Sequence, residues 1–459
     1  MIKKKYLILC KQVLLKKLLS VALVCFLLHT NKNLIASDST GVKKDTVKTG
    51  WNFGILPAIS FDTDLGFQYG GVVNAFYYGN GSRYPKYDHS LYFEISNTTH
   101  GSGINRFFYD SEKLLKHIRF SFDLSYLNDQ AMCFYGFNGI QSNYNPDYIQ
   151  NDNPKYISRL FYNYKRNMTR MEPVFQGTVK DNLKWVGGIG IYNYQISGID
   201  RDKLNKGKSD ADRLPDTNVL YQKYVDWGLI DGDEKSGGWF NHIIAGLAYD
   251  SRDNEANPMH GVRDEIIMGV APKCFSNSGN SLKITAIHRH YIAIVEDKLS
   301  FCYRLLWQTN RGNMSWYAKQ LILKSFPLGA YSEGVGGGKT VRGILRYRLL
   351  GEDFAFGNFE FRYMFARTRL MSQNFQLALN AFYDAGIVTR NIPLQLESVP
   401  EEERNRYFTS SMTDDIHHSF GLGLRVIMNR NFIVAFEYGK AIRKVDGISG
   451  FYINLNYLF

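Results

Sequence analysis

The C-terminal segments of the chain alternate between apolar and polar side chains, and this pattern limits the folds open to it. In the last nine residues the odd positions are apolar or aromatic: Phe451, Ile453, Leu455, Tyr457 and Phe459. Segments 420–428 and 432–438 alternate in the same way. A period of two is typical of β-strands whose faces meet different environments. A soluble sandwich also alternates, but aromatic residues on one face of successive strands favour a membrane β-barrel.

The composition points to strands rather than helices. The 459 residues include 31 Tyr, 31 Phe and 41 Gly but only 11 Pro, a mixture that favours strands joined by tight turns. No stretch after residue 36 holds 18 consecutive apolar residues, so no transmembrane helix is predicted. We therefore predict an all-β fold, a transmembrane antiparallel β-barrel in the outer membrane.

Counting the alternating segments gives about 16 predicted strands, an even number as in single-chain bacterial barrels. They lie near 66–79, 88–98, 103–112, 116–127, 131–142, 156–180, 183–198, 237–251, 261–272, 281–295, 298–312, 352–366, 374–389, 417–428, 431–443 and 447–459. The segment 156–180 is alternatively two shorter strands. With both termini periplasmic, the long connections fall on the outer side: 143–155, 199–236, 313–351 and 390–416. The short connections fall on the periplasmic side: Asn128-Asp129-Gln130, Lys180-Asp181-Asn182 and Asn429-Arg430.

The N-terminus predicts export. Residues 1–36 hold seven lysines and no acid. Within them, a lysine-rich start is followed by the largely apolar run Leu18–Leu28, which is the pattern of a secretory signal peptide. Removing them leaves a formal charge of +5, against +12 for the whole chain, so no nucleic-acid partner is predicted. Residues 37–65 are expected to be a short periplasmic segment without a folded receiving domain, and 66–459 to form the barrel.

Catalytic and metal sites are not indicated. Cys133, Cys274 and Cys302 follow no zinc spacing, and no Gly-x-Ser-x-Gly motif occurs. The densest histidines are His288, His290 and the adjacent pair His417-His418. Adjacent residues on a strand point to opposite faces, so a polar pair at the barrel rim is favoured over a metal site. We predict neither an enzyme nor a cofactor.

Four patterns, in order, resemble the barrel of the BamA/TamA assembly-factor superfamily, also called the bacterial surface antigen family. They are Tyr249-Asp250-Ser251-Arg252-Asp253-Asn254 with Pro258 and Gly261; Gly334 to Gly343 with Val341-Arg342-Gly343; Gly357 to Arg362 followed by Phe382 to Gly386; and Gly421 to Arg425 leading to Phe459. Ile344 departs from the family pattern, which has an aromatic residue there. The resemblance covers residues 249–459.

The resemblance implies a long loop folded back into the lumen and held by an arginine. Alternation places Glu360 and Asp384 on neighbouring lumenal faces. From spacing alone, Arg342 is equally a solvated loop cation, and Glu360 a partner of Arg362. In the family the loop arginine pairs with acids at such positions, so the resemblance implies a lock formed by Arg342, Gly343, Glu360 and Asp384.

The resemblance also implies a weak lateral seam between the first and last strands. Here the seam is expected to join 66–79 to 447–459, with Gly66, Gly70 and Gly71 weakening side-chain packing and Phe459 at the end of the last strand. The implied function is assembly, insertion or translocation of outer-membrane or surface proteins. The implied partners are outer-membrane lipid, client proteins, and periplasmic or lipoprotein partners. The alternative is a porin-like or structural barrel in which loop 313–351 forms the constriction.

Overall fold

The computed structural model describes residues 47–459 except 85, 210–212, 256, 277–278, 327–328, 330–333, 371–372, 429–431 and 456. The predicted signal peptide at 1–36 lies outside the described residues. Most of the predicted periplasmic segment and the turn at Asn429-Arg430 lie outside them as well. None of the helices in the described part of the chain is long and apolar enough to cross a membrane.

The described residues form one antiparallel sheet that closes on itself. Its strands are β1 (Trp51–Pro57), β2 (Ser60–Asp62), β3 (Gly66–Tyr77), β4 (His89–Thr98), β5 (Gly103–Leu115), β6 (Ile118–Cys133), β7 (Asn163–Lys180), β8 (Leu183–Ser197), β9 (Gly237–Asp250), β10 (Gly261–Ala271), β11 (Ser281–Val295), β12 (Leu299–Gly312), β13 (Asp353–Leu370), β14 (Gln373–Arg390), β15 (His417–Met428), β16 (Phe432–Ala441) and β17 (Ser449–Leu455).

β1 and β2 are two halves of the first barrel strand, because both pair with β3. β1 pairs from Trp51–Tyr77 to Pro57–Gly71, and β2 continues from Ser60–Gln68 to Asp62–Gly66. Pro57 lacks a backbone N–H and stands where the two halves separate. The barrel therefore has sixteen strands and closes where β17 meets β2.

The predicted number of strands is confirmed, although two of the predicted positions are wrong. The prediction omits the strand at 51–62 and so starts the barrel at residue 66 instead of residue 51. It also divides β6 at Asn128-Asp129-Gln130, which is not a turn, because Asp129 is buried and paired with Arg166 at 2.7 Å. The two errors cancel in the strand count. The long connections after residue 133 therefore still lie on the predicted side.

The alternation of the strands separates a lipid-facing surface from a polar interior. On β13, Phe361, Tyr363 and Phe365 are exposed, while Glu360 and Arg362, which alternate with them, are buried. The buried charges are paired with one another rather than left alone, as their desolvation requires. On the opposite wall, for example, Asp123 accepts hydrogen bonds from Arg106 and Arg170.

The longest connections, 134–162, 198–236, 313–352 and 391–416, lie at one end of the barrel, which faces outward in bacterial barrels. They carry short helices: Arg201–Asn205, Leu220–Asp226, Trp316–Lys319 and Glu401–Tyr407, with 3-10 turns at Gly139–Gln141, Pro146–Ile149 and Leu396–Ser398. A further 3-10 turn, Lys444–Asp446, lies in the shorter connection between β16 and β17. Buried aromatic residues from several loops pack together, among them Phe134, Tyr224 and Trp316. The outer loops therefore form a packed layer.

Candidate functional site: a buried arginine and the barrel seam

Arg342, in the connection between β12 and β13, is fully buried among three carboxylates. Its Nη1 lies 2.6 Å from Glu360 Oε1 and 2.7 Å from Glu437 Oε1. Its Nε and Nη2 donate to the two oxygens of Asp384 at 2.8 and 2.9 Å. This forked geometry requires a guanidinium, because an ammonium group cannot donate two parallel hydrogen bonds. The arginine also lies 3.6 Å from the centre of the Phe382 ring.

The backbone beside Arg342 is held as well. Its N–H donates to Asp384 Oδ2 at 3.0 Å, and the Gly343 N–H donates to the Tyr452 hydroxyl at 3.0 Å. Gly343 has φ +85, and an added Cβ would lie 2.6 Å from the carbonyl carbon of Gly439. Only glycine fits this approach without displacing backbone.

The structure therefore brings together the four residues of the predicted lock: Arg342, Gly343, Glu360 and Asp384. Sequence reasoning missed Glu437, the third acid around the guanidinium. The signal was present, because alternation in 432–438 places Glu437 on the same polar face as the other two acids. Arg425 was also missed; its Nη2 lies 3.0 Å from Glu437 and 3.4 Å from Glu360.

The same connection contacts the opposite wall of the barrel. The Ser325 carbonyl accepts from Gln176 at 2.6 Å, and the Gly329 carbonyl accepts from Arg170 at 3.1 Å. Phe326 packs edge-on against the Phe108 ring, and the Arg119 guanidinium lies 4.4 Å from the centre of the Phe326 ring. One connection thus touches inward-facing side chains of β6 and β7 and of β13, β14 and β16.

The seam closes through few residues. Among the described residues, β17 and β2 pair only at Tyr452–Asp62 and Ile453–Phe61. On its other side, β17 pairs with β16 along its whole length, from Ser449 to Leu455. No strand in the described part of the chain is paired with the second edge of β1.

The structure corrects the predicted seam residues. Gly66, Gly70 and Gly71 lie on β3, the second barrel strand, because the first strand is formed by β1 and β2. Phe459 is not at the seam either, since β17 ends at Leu455.

The end of the chain instead lies beside β12 and β13. The Phe459 ring is 5.0 Å from the Arg362 guanidinium and 5.2 Å from that of Arg304. Arg362 Nη2 also donates to the Phe459 carbonyl at 3.3 Å, and Arg304 Nη1 donates to the Leu458 carbonyl at 3.4 Å. The last residues therefore contact β12 and β13.

The two adjacent histidines point to opposite faces, as alternation predicts. His417, however, is not part of an exposed polar pair at the rim. His417 is fully buried between Asp414 at 2.9 Å and Asp446 at 2.5 Å. His418 shares a hydrogen bond with Tyr383 on the exposed face. His417 thus joins two outer loops, a role that its position beside an acidic stretch alone does not predict.

Comparison with known proteins places this geometry in a family. A model of the Omp85 superfamily domain matches residues 88–459. A comparison with curated protein sequences gave no match. The crystal structure of BamA from Haemophilus ducreyi lacking POTRA domains 1–3 is similar in fold, with a TM-score of 0.53 and 13% identity; the match covers 88% of this chain and 70% of that one.

CdiB from Escherichia coli is a more distant match, with a TM-score of 0.48 and 8% identity, covering 88% of this chain and 63% of that one. The superfamily match spans most of the chain, and the fold is that of an outer-membrane barrel. The chain is therefore an outer-membrane β-barrel that belongs to the Omp85 superfamily.

Proposed function

We propose that this barrel assembles, inserts or translocates outer-membrane or surface proteins, and that the client engages it at the seam between β2 and β17. The observation that carries the proposal is the second edge of β1, which pairs with no strand in the described part of the chain. A strand edge with free N–H and C=O groups is a template for pairing with an incoming strand. Proteins that are not using such an edge usually cover or blunt it.

The side chains on β1 fit that role. Phe53 is 73% exposed and Ile55 is 80% exposed, so the edge strand presents apolar groups suited to lipid or to a client strand. Beside it, two residue pairs in the described part of the chain join β2 to β17. Separating so short a ladder costs few hydrogen bonds, and the client strand replaces them as it pairs.

We further propose that the connection between β12 and β13 folds into the lumen and is locked there by Arg342. Gly343 and Tyr452 link this lock to the last strand through one hydrogen bond. Lys339 extends the link, because its Nζ donates to Asn454 Oδ1 at 2.8 Å. The loop thereby supports β17 from inside, while on the side of β17 that faces β2 two residue pairs in the described part of the chain separate to admit a client.

The alternative function is a porin-like or structural barrel. A porin needs an open path through its lumen, and the contacts of Ser325 and Phe326 on one wall and of Arg342 on the other speak against such a path. We therefore rank the assembly function first. The proposal requires no catalytic residue or cofactor. Its partners are outer-membrane lipid, client proteins, and periplasmic or lipoprotein components.

Depletion in the native host tests the proposal. The chain is placed under a repressible promoter, and the outer-membrane proteome is quantified as the protein disappears. We expect a selective loss of other barrels or surface proteins before growth stops, restored by a wild-type copy. An unchanged proteome would exclude the assembly function, and conductance of the purified barrel would then decide between a pore and a structural role.

A further inference from the structure

A group of polar side chains lies on the outer face of the barrel, where lipid is expected. Asp264 on β10 and His288 on β11 share a hydrogen bond of 2.6 Å between Oδ1 and Nδ1. The Tyr303 hydroxyl on β12 is 3.2 Å from His288 Nε2 and 3.2 Å from His290 Nδ1. These four side chains, here called the outer polar cluster, form one hydrogen-bonded chain across three strands.

The cluster faces outward, as its neighbours show. Ile266, two residues after Asp264, is 57% exposed, and Ile292, two residues after His290, is 38% exposed. The residues in between, Glu265 and Arg289, point inward and form a buried ion pair at 2.6 Å. The side chains of Asp264 and His288 are themselves 47% and 38% exposed.

Ionisable groups are costly on the lipid face of a barrel, and in membranes such groups usually mark a functional site. The hydrogen-bonding capacity of the cluster is only partly used within it. Asp264 Oδ1 bonds to His288, and the carboxylate can still accept hydrogen bonds from further donors. A ligand that brings a cationic donor would complete the site.

An apolar groove begins at the cluster. It has a volume of about 770 Å³ and is lined at one end by Asp264 and His288. From there it passes over small outward residues, among them Ala286, Ala355 and Gly357, to Ile416. Small side chains in a row of Leu, Trp and Phe create a depression that a chain of methylene groups can fill.

The groove is about as long as a lipid tail, and its polar end lies toward the periplasm. It crosses the five strands β10 to β14, and at ~4.8 Å per strand this is about 19 Å, on the order of one extended fatty acyl chain. Asp264 is the fourth residue of β10, which starts at the periplasmic end of the barrel, whereas Ile416 belongs to an outer connection. The polar end therefore lies toward the inner leaflet.

We propose that this groove binds a glycerophospholipid of the inner leaflet whose head group carries a primary ammonium, a phosphatidylethanolamine. One acyl chain lies over Ala355 and Gly357, and the ammonium donates to the Asp264 carboxylate. The imidazoles of the cluster are next to the phosphate of the same head group. The site spans β10 to β14, which β15 and β16 separate from β17 and the seam, so it does not depend on the proposed function.

Native mass spectrometry of the full mature chain tests the site. The protein is released from micelles containing equal amounts of phosphatidylethanolamine and phosphatidylglycerol, and the retained lipid is identified. Asp264→Asn removes the charge that receives the ammonium, and Ala355→Phe fills the groove. Ala245→Phe is the matched control, because Ala245 is also exposed on the outer face but does not line the groove. Folding of each variant is checked by its heat-modifiable migration.

We expect the wild type to retain phosphatidylethanolamine over phosphatidylglycerol. Asp264→Asn should lower retention of phosphatidylethanolamine about tenfold without changing that of phosphatidylglycerol, since a charge-assisted bond is lost. Ala355→Phe should lower retention of both lipids, and Ala245→Phe should change neither. Equal retention of the two lipids by the wild type, or equal behaviour of the two phenylalanine variants, would overturn the proposal. Displacement of phosphatidylethanolamine by added lipid A would overturn it as well.

Discussion

Arg342 and Asp384 are joined by two parallel hydrogen bonds, 2.8 Å from Nε to Oδ2 and 2.9 Å from Nη2 to Oδ1, and neither side chain is accessible to solvent. A buried carboxylate that loses its cation keeps its desolvation cost without compensation. The bond therefore ties the folding of the barrel to the position of the connection between β12 and β13.

Arg342→Ala should destabilise the folded barrel by about 3–5 kcal/mol, because it takes away the cation that pairs with the buried Asp384 and leaves Glu360 and Glu437 to Arg362 and Arg425. Denaturant unfolding of the refolded protein, followed by the heat-modifiable gel band, measures this. Arg311→Ala is the control: Arg311 is 51% exposed and pairs with Asp353 at the barrel end, so its loss should cost no more than about 1 kcal/mol. Equal effects of the two variants would contradict the lock.

Charge reversal tests the pairing itself. Arg342→Glu should impair assembly more than Arg342→Ala, because it adds a fourth acid. Glu360→Arg in the same chain should restore it only in part, since Glu360 also accepts from Arg362 at 2.8 Å and that contact is lost. The folded fraction in outer-membrane preparations is the readout. If both single variants assemble like the wild type, the pairing is not important.

Gly343→Ala should destabilise the barrel by about 1–3 kcal/mol through strain, because φ is +85 and the new Cβ meets the backbone of Gly439. Gly71→Ala is the matched control, since a Cβ at Gly71 would contact nothing within 4 Å. The free energy of unfolding of both variants is measured under the same denaturant conditions and compared. A control that is as unstable as Gly343→Ala would mean that the site is not special.

Arg348→Ala should loosen the outer loops without preventing barrel formation. The fully buried guanidinium donates to the carbonyls of Gly139, Ser142 and Val445 at 2.8, 3.0 and 3.0 Å, and so joins three connections. Limited proteolysis of whole cells should cleave the variant faster at these loops. Arg159→Ala, an exposed loop arginine, serves as control and should be cleaved like the wild type. Unchanged cleavage of Arg348→Ala would contradict this role.

The purified wild-type barrel should conduct poorly in planar bilayers, because one connection contacts both walls of its interior. Removing residues 321–348 should produce a large, steady conductance if the barrel still forms, as judged by its heat-modifiable migration. A wild-type conductance as large as that of the shortened chain would instead favour the porin-like alternative.

Alternation was sufficient to predict the barrel and the lumenal position of Glu360 and Asp384, whereas the predicted strand number is right because two errors cancel. It failed at 51–62, where Gly54 and Pro57 interrupt the pattern. Within the described residues, the β1 half of this strand is paired on one edge only. It also failed at Asp129, whose charge indicated a turn although Arg166 neutralises it inside the barrel. Such pairings join residues far apart in sequence, and no local pattern contains them.

The position of the chain end near the seam likewise depends on residues that are distant in sequence. Alternation extends to Phe459, so the last strand was expected to reach the end of the chain. Arg304 and Arg362, on β12 and β13, hold that aromatic ring instead. The position of Phe459 thus depends on two cations about a hundred residues or more away in sequence.

The most direct test of the central claim is a reversible lock on the seam. Phe61 and Ile453 are opposite one another on β2 and β17, so Phe61→Cys with Ile453→Cys should form a disulfide across the seam. Phe436→Cys with Ile453→Cys is the matched control, because it joins β16 to β17 and leaves the seam free. Both pairs are made in a Cys274→Ser background to remove the exposed native thiol.

Each variant is expressed in depleted cells, and the outer-membrane proteome is measured with and without reductant. We predict that the seam disulfide fails to restore the proteome until it is reduced, whereas the control disulfide restores it in both conditions. Full restoration by a seam that is verified as oxidised would contradict the claim that clients engage the barrel between β2 and β17.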